Sequence, residues 1–286
     1  MKYGVYYAYW CKDWGGDYAG FMRRAADDGL DILEIGAGDL PGIPDAELRE
    51  LGRRAKDLGL DITCNMAPPK TYDVSAADPA QRKLGVDYMC SVMDKMAILG
   101  SRAIAGILYT WWPNCETDED KPGVYARAVE SAKLMGAHAA DLGITMCHEI
   151  VNRFETMLLN TAQEGVRFAH DVDMPNVKLL LDVFHMNIEE DSIPAAIRLS
   201  KGLLGHFHVS EGSRRLPGRG SMDWKAVGGA LRDIGYDGSV VLEPFVHNGG
   251  TVGRSAKIWR DLTEGASEEE MDRALRESVA FLKRAF

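Results

Sequence analysis

The sequence predicts an α/β fold, a single (β/α)8 TIM barrel with an additional C-terminal helix, formed as one domain over residues 1–286. Three observations predict it. An amphipathic stretch that ends in Asp-x-Gly and passes at once into an apolar run occurs four times. Less regular junctions of the same kind bring the apolar runs to eight, counting the first. The length of 286 residues suits such a barrel, typically ~250 residues, better than one small module. Strands alternating with helices imply a parallel sheet, and eight units imply closure rather than an open doubly wound sheet.

The elements follow in order. The first strand is the start of the chain, Met1-Lys2-Tyr3-Gly4-Val5-Tyr6-Tyr7. Asp27-Asp28-Gly29 then closes a helix before Leu30-Asp31-Ile32-Leu33-Glu34, and Asp57-Leu58-Gly59 does so before Leu60-Asp61-Ile62-Thr63. Glycine just past a helix end takes the left-handed conformation without a Cβ clash, and a short apolar run after it reads as a buried parallel strand. Leu99-Gly100 precedes Ala103-Ile104-Ala105, and Asp141-Leu142-Gly143 precedes Ile144-Thr145-Met146-Cys147-His148. Pro175-Asn176 precedes Val177-Lys178-Leu179-Leu180-Leu181, Lys201-Gly202 precedes Leu203-Leu204-Gly205-His206-Phe207, and Asp233-Ile234-Gly235 precedes the run ending at Leu242. Helix starts are legible in the capping box Thr161-Ala162-Gln163-Glu164 and in Pro122, which suits a first helical position. The amphipathic segment from Ser267 to Arg284 reads as the eighth outer helix or as an appended one.

Composition narrows the function classes. Hydrophobic content of 46% and charged content of 27% are those of a soluble globular chain with no bilayer-spanning run. The first residues lack the short apolar region and small-residue cleavage site of a leader, so a cytoplasmic location is expected. Five scattered cysteines, none in a Cys-x-x-Cys pair, fit a reducing compartment and argue against structural zinc. A net charge of -10 opposes a phosphate backbone, so no nucleic-acid or membrane partner is expected and a small neutral or cationic substrate fits better.

Polar residues at strand ends point to the chemistry. Glu149, Asp182, His208 and Glu243 each close an apolar run, at strands five to eight, and therefore face one mouth of the barrel. Three carboxylates and an imidazole form a hard set suited to manganese, magnesium or cobalt, with positions left for two substrate oxygens, whereas zinc suits it less. Singly, such a carboxylate more often caps the following helix; four together at one barrel mouth point to a metal site. His206 shares a strand face with His208 one step deeper, and reads as a lower-layer residue. His185 opens the loop after strand six, where it either contacts substrate or is solvated. Arg214 lies on a long Gly/Pro-punctuated loop after strand seven, of the kind that carries function, while Arg215 and Arg219 read as a solvent-exposed basic turn. Glu189-Glu190-Asp191 reads as a solvated acidic run favouring the next helix start. Tyr6, Trp14, Trp111, Trp112 and Phe245 fall near strand ends, where they pack the rim or line a substrate.

Several ordered stretches carry a family resemblance: Glu149-Ile150-Val151-Asn152-Arg153-Phe154-Glu155, the run from Asp182 to Asp191, Gly205-His206-Phe207-His208, Arg214 to Gly220, and Glu243-Pro244-Phe245. From first strand to last helix the chain resembles the D-tagatose 3-epimerase family, which includes the D-psicose (D-allulose) 3-epimerases. The resemblance implies a carbohydrate isomerase that epimerises ketoses at C3, D-fructose with D-psicose or D-tagatose with D-sorbose. It implies manganese as cofactor, with cobalt or magnesium as alternatives, and a homodimer or homotetramer. By position, Glu149, Asp182, His208 and Glu243 look like the metal ligands, with Glu149 and Glu243 doubling as the catalytic acid/base pair. Glu155, His185 and Arg214 look like contacts to the O1 to O3 end of the sugar, and Tyr6, Trp14, Trp112 and Phe245 would line the rest.

The chemistry accounts for such a set. Removing the weakly acidic C3 hydrogen of a ketose leaves a cis-enediolate whose charge builds on O2, which a cation chelating O2 and O3 stabilises. Epimerisation then needs a base on one face of C3 and an acid on the other. The loops Asn65-Met66-Ala67-Pro68-Pro69-Lys70 and Tyr109-Thr110-Trp111-Trp112 depart from the family pattern and leave the C4 to C6 preference open. A metal-dependent aldose-ketose isomerase of the same fold is the main alternative; it moves a proton between C1 and C2. An abasic-site nuclease would want more histidines and a basic groove, and a sugar-binding scaffold would need no metal.

Overall fold

The computed structural model describes residues 1–115 and 120–286. Eight strands, β1 (Lys2–Tyr6), β2 (Ile32–Gly36), β3 (Asp61–Asn65), β4 (Ala103–Gly106), β5 (Thr145–Ile150), β6 (Val177–Asp182), β7 (Leu204–Val209) and β8 (Ser239–Leu242), pair in parallel and in sequence order into a closed barrel. The helices are α1 (Tyr18–Asp27), α2 (Asp45–Asp57), α3 (Pro79–Leu99), α4 (Lys121–Asp141), α5 (Ala162–Val172), α6 (Val183–Glu189), α7 (Ile193–Leu199), α8 (Trp224–Asp233), α9 (Gly250–Ser255) and α10 (Glu268–Ala285). Among the described residues no helix is long and apolar enough to cross a membrane.

The Asp-x-Gly junctions behave as the sequence predicts. Gly29, Gly59, Gly143 and Gly235 have φ of 69°, 72°, 67° and 68°, the left-handed cap that glycine adopts without strain. The next residue still belongs to the cap: the Leu30 N–H donates to Ala25 O at 3.0 Å, and β2 begins only at Ile32. The capping box at Thr161 is formed, its side chain accepting from the Glu164 N–H while Glu164 accepts from the Thr161 N–H.

β8 is followed by two helices, the short α9 and then α10, so the segment from Ser267 to Arg284 forms the eighth outer helix rather than an appended one, and the additional helix is α9, ahead of it. The long one, α10, fills the outer ring between α8 and α1. Arg24 of α1 donates to Asp272 at 2.7 Å, and Arg232 of α8 donates to Ala285 O at 3.0 Å. The apolar faces of helices and strands meet in one core between the two layers, where Met22, Leu48, Met93 and Phe168 are fully buried. Inside the barrel a separate small plug of Ala105, Cys147 and Leu180 fills the floor. Cys147 and Leu180 each stand two residues before a site carboxylate on the same strand face, so the polar layer sits directly toward the C-terminal mouth.

Candidate active site

The register of the last four strands brings the quartet together. Asp182 on β6 pairs with His208 on β7, and the N–H of Glu243, just past β8, donates to Val209 O at 3.1 Å. Ligand atoms of Glu149, Asp182, His208 and Glu243 all lie within 4.8 Å of one another, and all four residues are buried. His208 Nδ1 lies 3.5 Å from Glu243 Oε1 and 3.9 Å from Glu149 Oε1. Asp182 also caps α6, its Oδ1 accepting from the Phe184 N–H at 2.9 Å, so here helix capping and the site are served by one residue.

Arg214 is the cation of the site. Its Nη1 donates to Asp182 Oδ2 and to Glu243 Oε2, each at 2.8 Å, and its guanidinium stacks over Phe184 at 3.8 Å. The residue sits at φ 62°, a conformation that side chains rarely adopt and that the β7–α8 loop imposes. Buried Glu211 anchors that loop by accepting from Gly218 N–H and Trp224 Nε1, both at 2.8 Å. Arg219 is exposed, as expected of the basic turn, whereas Arg215 is half-buried and pairs with exposed Glu264.

His185 faces the same space. Its Nδ1 accepts from the Asn152 side-chain amide at 2.7 Å and from the Asn152 backbone N–H at 3.2 Å, and its Nε2 lies 3.3 Å from Arg214 Nη2. Burial, aided by the Arg214 charge, drives its pKa well below the ordinary value, so the ring is neutral. Glu155 accepts from Trp112 Nε1 at 2.8 Å at the cavity edge.

Charge in the site is unbalanced. Burial and the neighbouring Glu243 push Glu149 well above the ordinary carboxylate range. Burial likewise raises Asp182, with Glu243 adding to the rise against the pull of Arg214. Burial opposes ionisation of Glu243 too, but His208 and Arg214 outweigh it and hold that carboxyl low. Burial opposes the charged form of His208 as well, but Glu34 and Glu243 outweigh it and raise its pKa well above the ordinary value. Without a metal the site therefore keeps protons on Glu149 and on the His208 ring, whose Nδ1 makes no hydrogen bond among the described residues. Three carboxylates and one imidazole nitrogen that converge on a single buried point, and that hold protons where no cation balances them, fit a divalent cation.

Beside the quartet lies a cavity of about 300 Å³, into which Tyr6, Trp14, Trp112, Glu149, Glu155, His185, Arg214 and Phe245 all project. Tyr6, Trp14 and Phe245 form an aromatic wall with ring centroids 6.1–6.3 Å apart. Trp111 is nearly buried and lies under Lys70, outside the cavity lining. A larger hollow of about 390 Å³ beside the start of α10 shares none of these residues.

A family model described as xylose isomerase-like TIM barrel matches residues 22–285. A D-psicose 3-epimerase from Agrobacterium fabrum is 45% identical over 282 residues, covering 98% of each chain. The chain belongs to the D-psicose 3-epimerase family. The crystal structure of the D-psicose 3-epimerase from Clostridium cellulolyticum H10 with D-tagatose superposes with a TM-score of 0.97 at 44% identity, over 100% of this chain and 99% of that one. A crystal structure of a D-psicose 3-epimerase in the presence of D-fructose gives 0.98 at 44% identity with the same coverage.

Two sequence expectations change within this family fold. His185 opens a helix, α6, rather than a loop, and is buried rather than solvated. The run Glu189-Glu190-Asp191 is not a solvated stretch: Glu189 accepts from the Arg153 N–H at 2.8 Å and pairs with its guanidinium, and Glu190 accepts from the Ala162 N–H at 2.6 Å. These contacts tie the β5–α5 loop, which carries Asn152 and Glu155, to the end of α6. Only Asp191 remains exposed. Three polar residues of the site were not singled out from the sequence: Glu34, Thr63 and Asn152. Glu34 did carry a signal, since it ends the apolar run after Gly29 much as the quartet residues end theirs.

Proposed function

We propose that the chain is a divalent-metal-dependent ketose 3-epimerase that interconverts D-fructose and D-psicose or D-tagatose and D-sorbose. The observation that carries this reading is the convergence of Glu149 and Glu243, from two different strands, with Asp182 and His208 on one buried point at the edge of a cavity large enough for a monosaccharide. The names of the relatives support it, as do the D-tagatose and D-fructose of the two crystal structures.

Glu149, Asp182, His208 and Glu243 would hold the cation, with manganese preferred over cobalt or magnesium. When bound, the cation would supply Lewis-acid stabilisation of the negative charge that builds on the sugar oxygens. Glu149 and Glu243 approach the reacting carbon from separate strands, so that one takes the C3 proton while the other returns a proton to the opposite face. Their roles exchange in the reverse direction. Arg214, neutral His185 and Glu155 fix the O1 to O3 end by directional hydrogen bonds. Tyr6, Trp14, Trp112 and Phe245 pack on the remaining carbons and keep bulk water away from the enediolate. A whole-chain catalytic domain, a cytoplasmic location and a homodimer or homotetramer complete the reading; all five cysteines being free thiols supports the reducing compartment. The aldose-ketose isomerase is not favoured, because D-psicose 3-epimerases 45% identical to the chain cover it almost end to end.

The test is to incubate manganese-loaded protein with D-fructose, and separately D-tagatose, in deuterated water and follow products by NMR, with EDTA-treated controls. The expected result is a C3-epimeric ketose deuterated at C3, lost on chelation. Deuterium at C1 or C2 of an aldose would move the chain to the isomerases, and no exchange with either sugar would overturn the ketose reading.

A further inference from the structure

Beneath the quartet, the barrel interior holds a second polar group. Glu34 on β2, Thr63 on β3 and His206 and His208 on β7 all point inward, and Glu34, His206 and His208 are fully buried. A carboxylate at the centre of a barrel is costly unless its oxygens are matched by donors. Glu34 has two in hydrogen-bonding geometry, Thr63 Oγ1 at 2.9 Å from Oε2 and His208 Nε2 at 2.7 Å from Oε1, while His206 Nε2 packs 2.8 Å from Oε2 without that geometry.

The contact with His208 has a chemical consequence. An ionised carboxylate only accepts, so His208 directs an Nε2 proton at Glu34. Its remaining nitrogen, Nδ1, is the one that faces Glu243 and Glu149. A histidine can ligate only through a lone pair, and the partner of its other nitrogen decides which tautomer is present and how the ring is aimed. We propose that Glu34 is a positioning residue, which fixes His208 in the Nε2–H tautomer and aims Nδ1 at the metal position, while Thr63 and His206 hold the Glu34 carboxylate in place. The inference rests on the proposed metal at the quartet. The same three side chains, Glu34, His206 and His208, also lie close enough together to hold an ion themselves. That use competes with the first, because His208 Nε2 cannot both donate a proton to Glu34 and ligate.

The test titrates metal-free parent, Glu34→Gln and Glu34→Leu proteins with Mn2+ against a fluorescent chelator, and reads the His208 tautomer by 15N NMR of the metal-free proteins at a pH where the ring is neutral. Losing a partner of a ligating histidine typically weakens metal binding about 10–100-fold, the effect expected for Glu34→Leu, together with a mixture of His208 tautomers. Glu34→Gln, whose amide accepts through one oxygen only, falls between Glu34→Leu and the parent. Epimerase activity of both variants recovers as Mn2+ is raised to saturation, as for a positioning residue and unlike a catalytic one. Should Glu34→Leu fail to fold, Glu34→Gln and Thr63→Val carry the same comparison. Parent-like Mn2+ affinity and an unchanged His208 tautomer in the folded variants overturn this inference alone. Two Mn2+ per parent chain, falling to one in Glu34→Gln, would also overturn it by making Glu34 a ligand. A parent that binds no Mn2+ overturns the metal reading as well.

Discussion

Arg214→Ala exposes how the site balances its charge. In the metal-free protein the guanidinium supplies two 2.8 Å charged hydrogen bonds, to Asp182 and Glu243, both buried. Removing one partner of a buried ion pair typically costs about 3–5 kcal/mol, because the abandoned charge stays out of water. For a chain of this size each kcal/mol moves Tm by about 2–4 °C, so metal-free Arg214→Ala should melt roughly 6–20 °C below the parent. The backbone adds a second, separable effect. Arg214 sits at φ 62°, where alanine keeps a Cβ clash of about 1 kcal/mol that glycine escapes. Arg214→Gly should therefore melt a few degrees above Arg214→Ala although it lacks the same guanidinium. A divalent cation at the quartet would offset the same carboxylate charge, so saturating Mn2+ should narrow the gap between parent and variants. Differential scanning fluorimetry with and without Mn2+ reads all three effects. A gap that Mn2+ leaves unchanged, or variants as stable as the metal-free parent, would refute the claim that Arg214 and a cation answer to one set of carboxylates.

Further outcomes follow from the same geometry. Glu149→Gln and Glu243→Gln should each lower epimerisation by at least ~10²–10⁴-fold while calorimetry still detects metal binding; near-normal turnover by Glu243→Gln would sink the two-carboxylate mechanism. Tyr6→Ala opens the aromatic wall against Trp14 and Phe245, and should change the ratio of kcat/KM for D-fructose and D-tagatose more than it lowers their sum. Equal losses on both sugars would make Tyr6 a rim-packing residue only. Glu211→Ala strips the β7–α8 loop of acceptors for Gly218 N–H, Trp224 Nε1 and Met222 N–H, so KM should rise before the folded state is lost. A crystal structure of the variant with Arg214 still bridging Asp182 and Glu243 would contradict that.

The amino-acid sequence by itself determined the barrel and the mouth at which chemistry could occur. The reason is local: a left-handed glycine ends each regular helix, an apolar run follows, and whatever polar residue closes that run must emerge at the C-terminal face. Glu149, Asp182, His208 and Glu243 are legible on those terms because each strand end is set by its own few residues. His206 was placed correctly below His208 by the two-residue period of a strand. Tertiary structure alone decided the partnerships. Glu34 reaches His208 across 174 positions of sequence, and only barrel closure puts β2 and β7 within reach of one carboxylate. Glu189 and Glu190 read as solvated because acidic runs usually are, until Arg153 and the start of α5 pack against the end of α6. Arg214 lies on a loop whose composition marks it as irregular but cannot aim a side chain; buried Glu211 and the pairing of Arg214 O with the Phe245 N–H at 3.0 Å do that. Local periodicity is written in neighbouring residues. The direction of a loop side chain, and which buried charges meet, depend on strands that approach each other only once the sheet has closed.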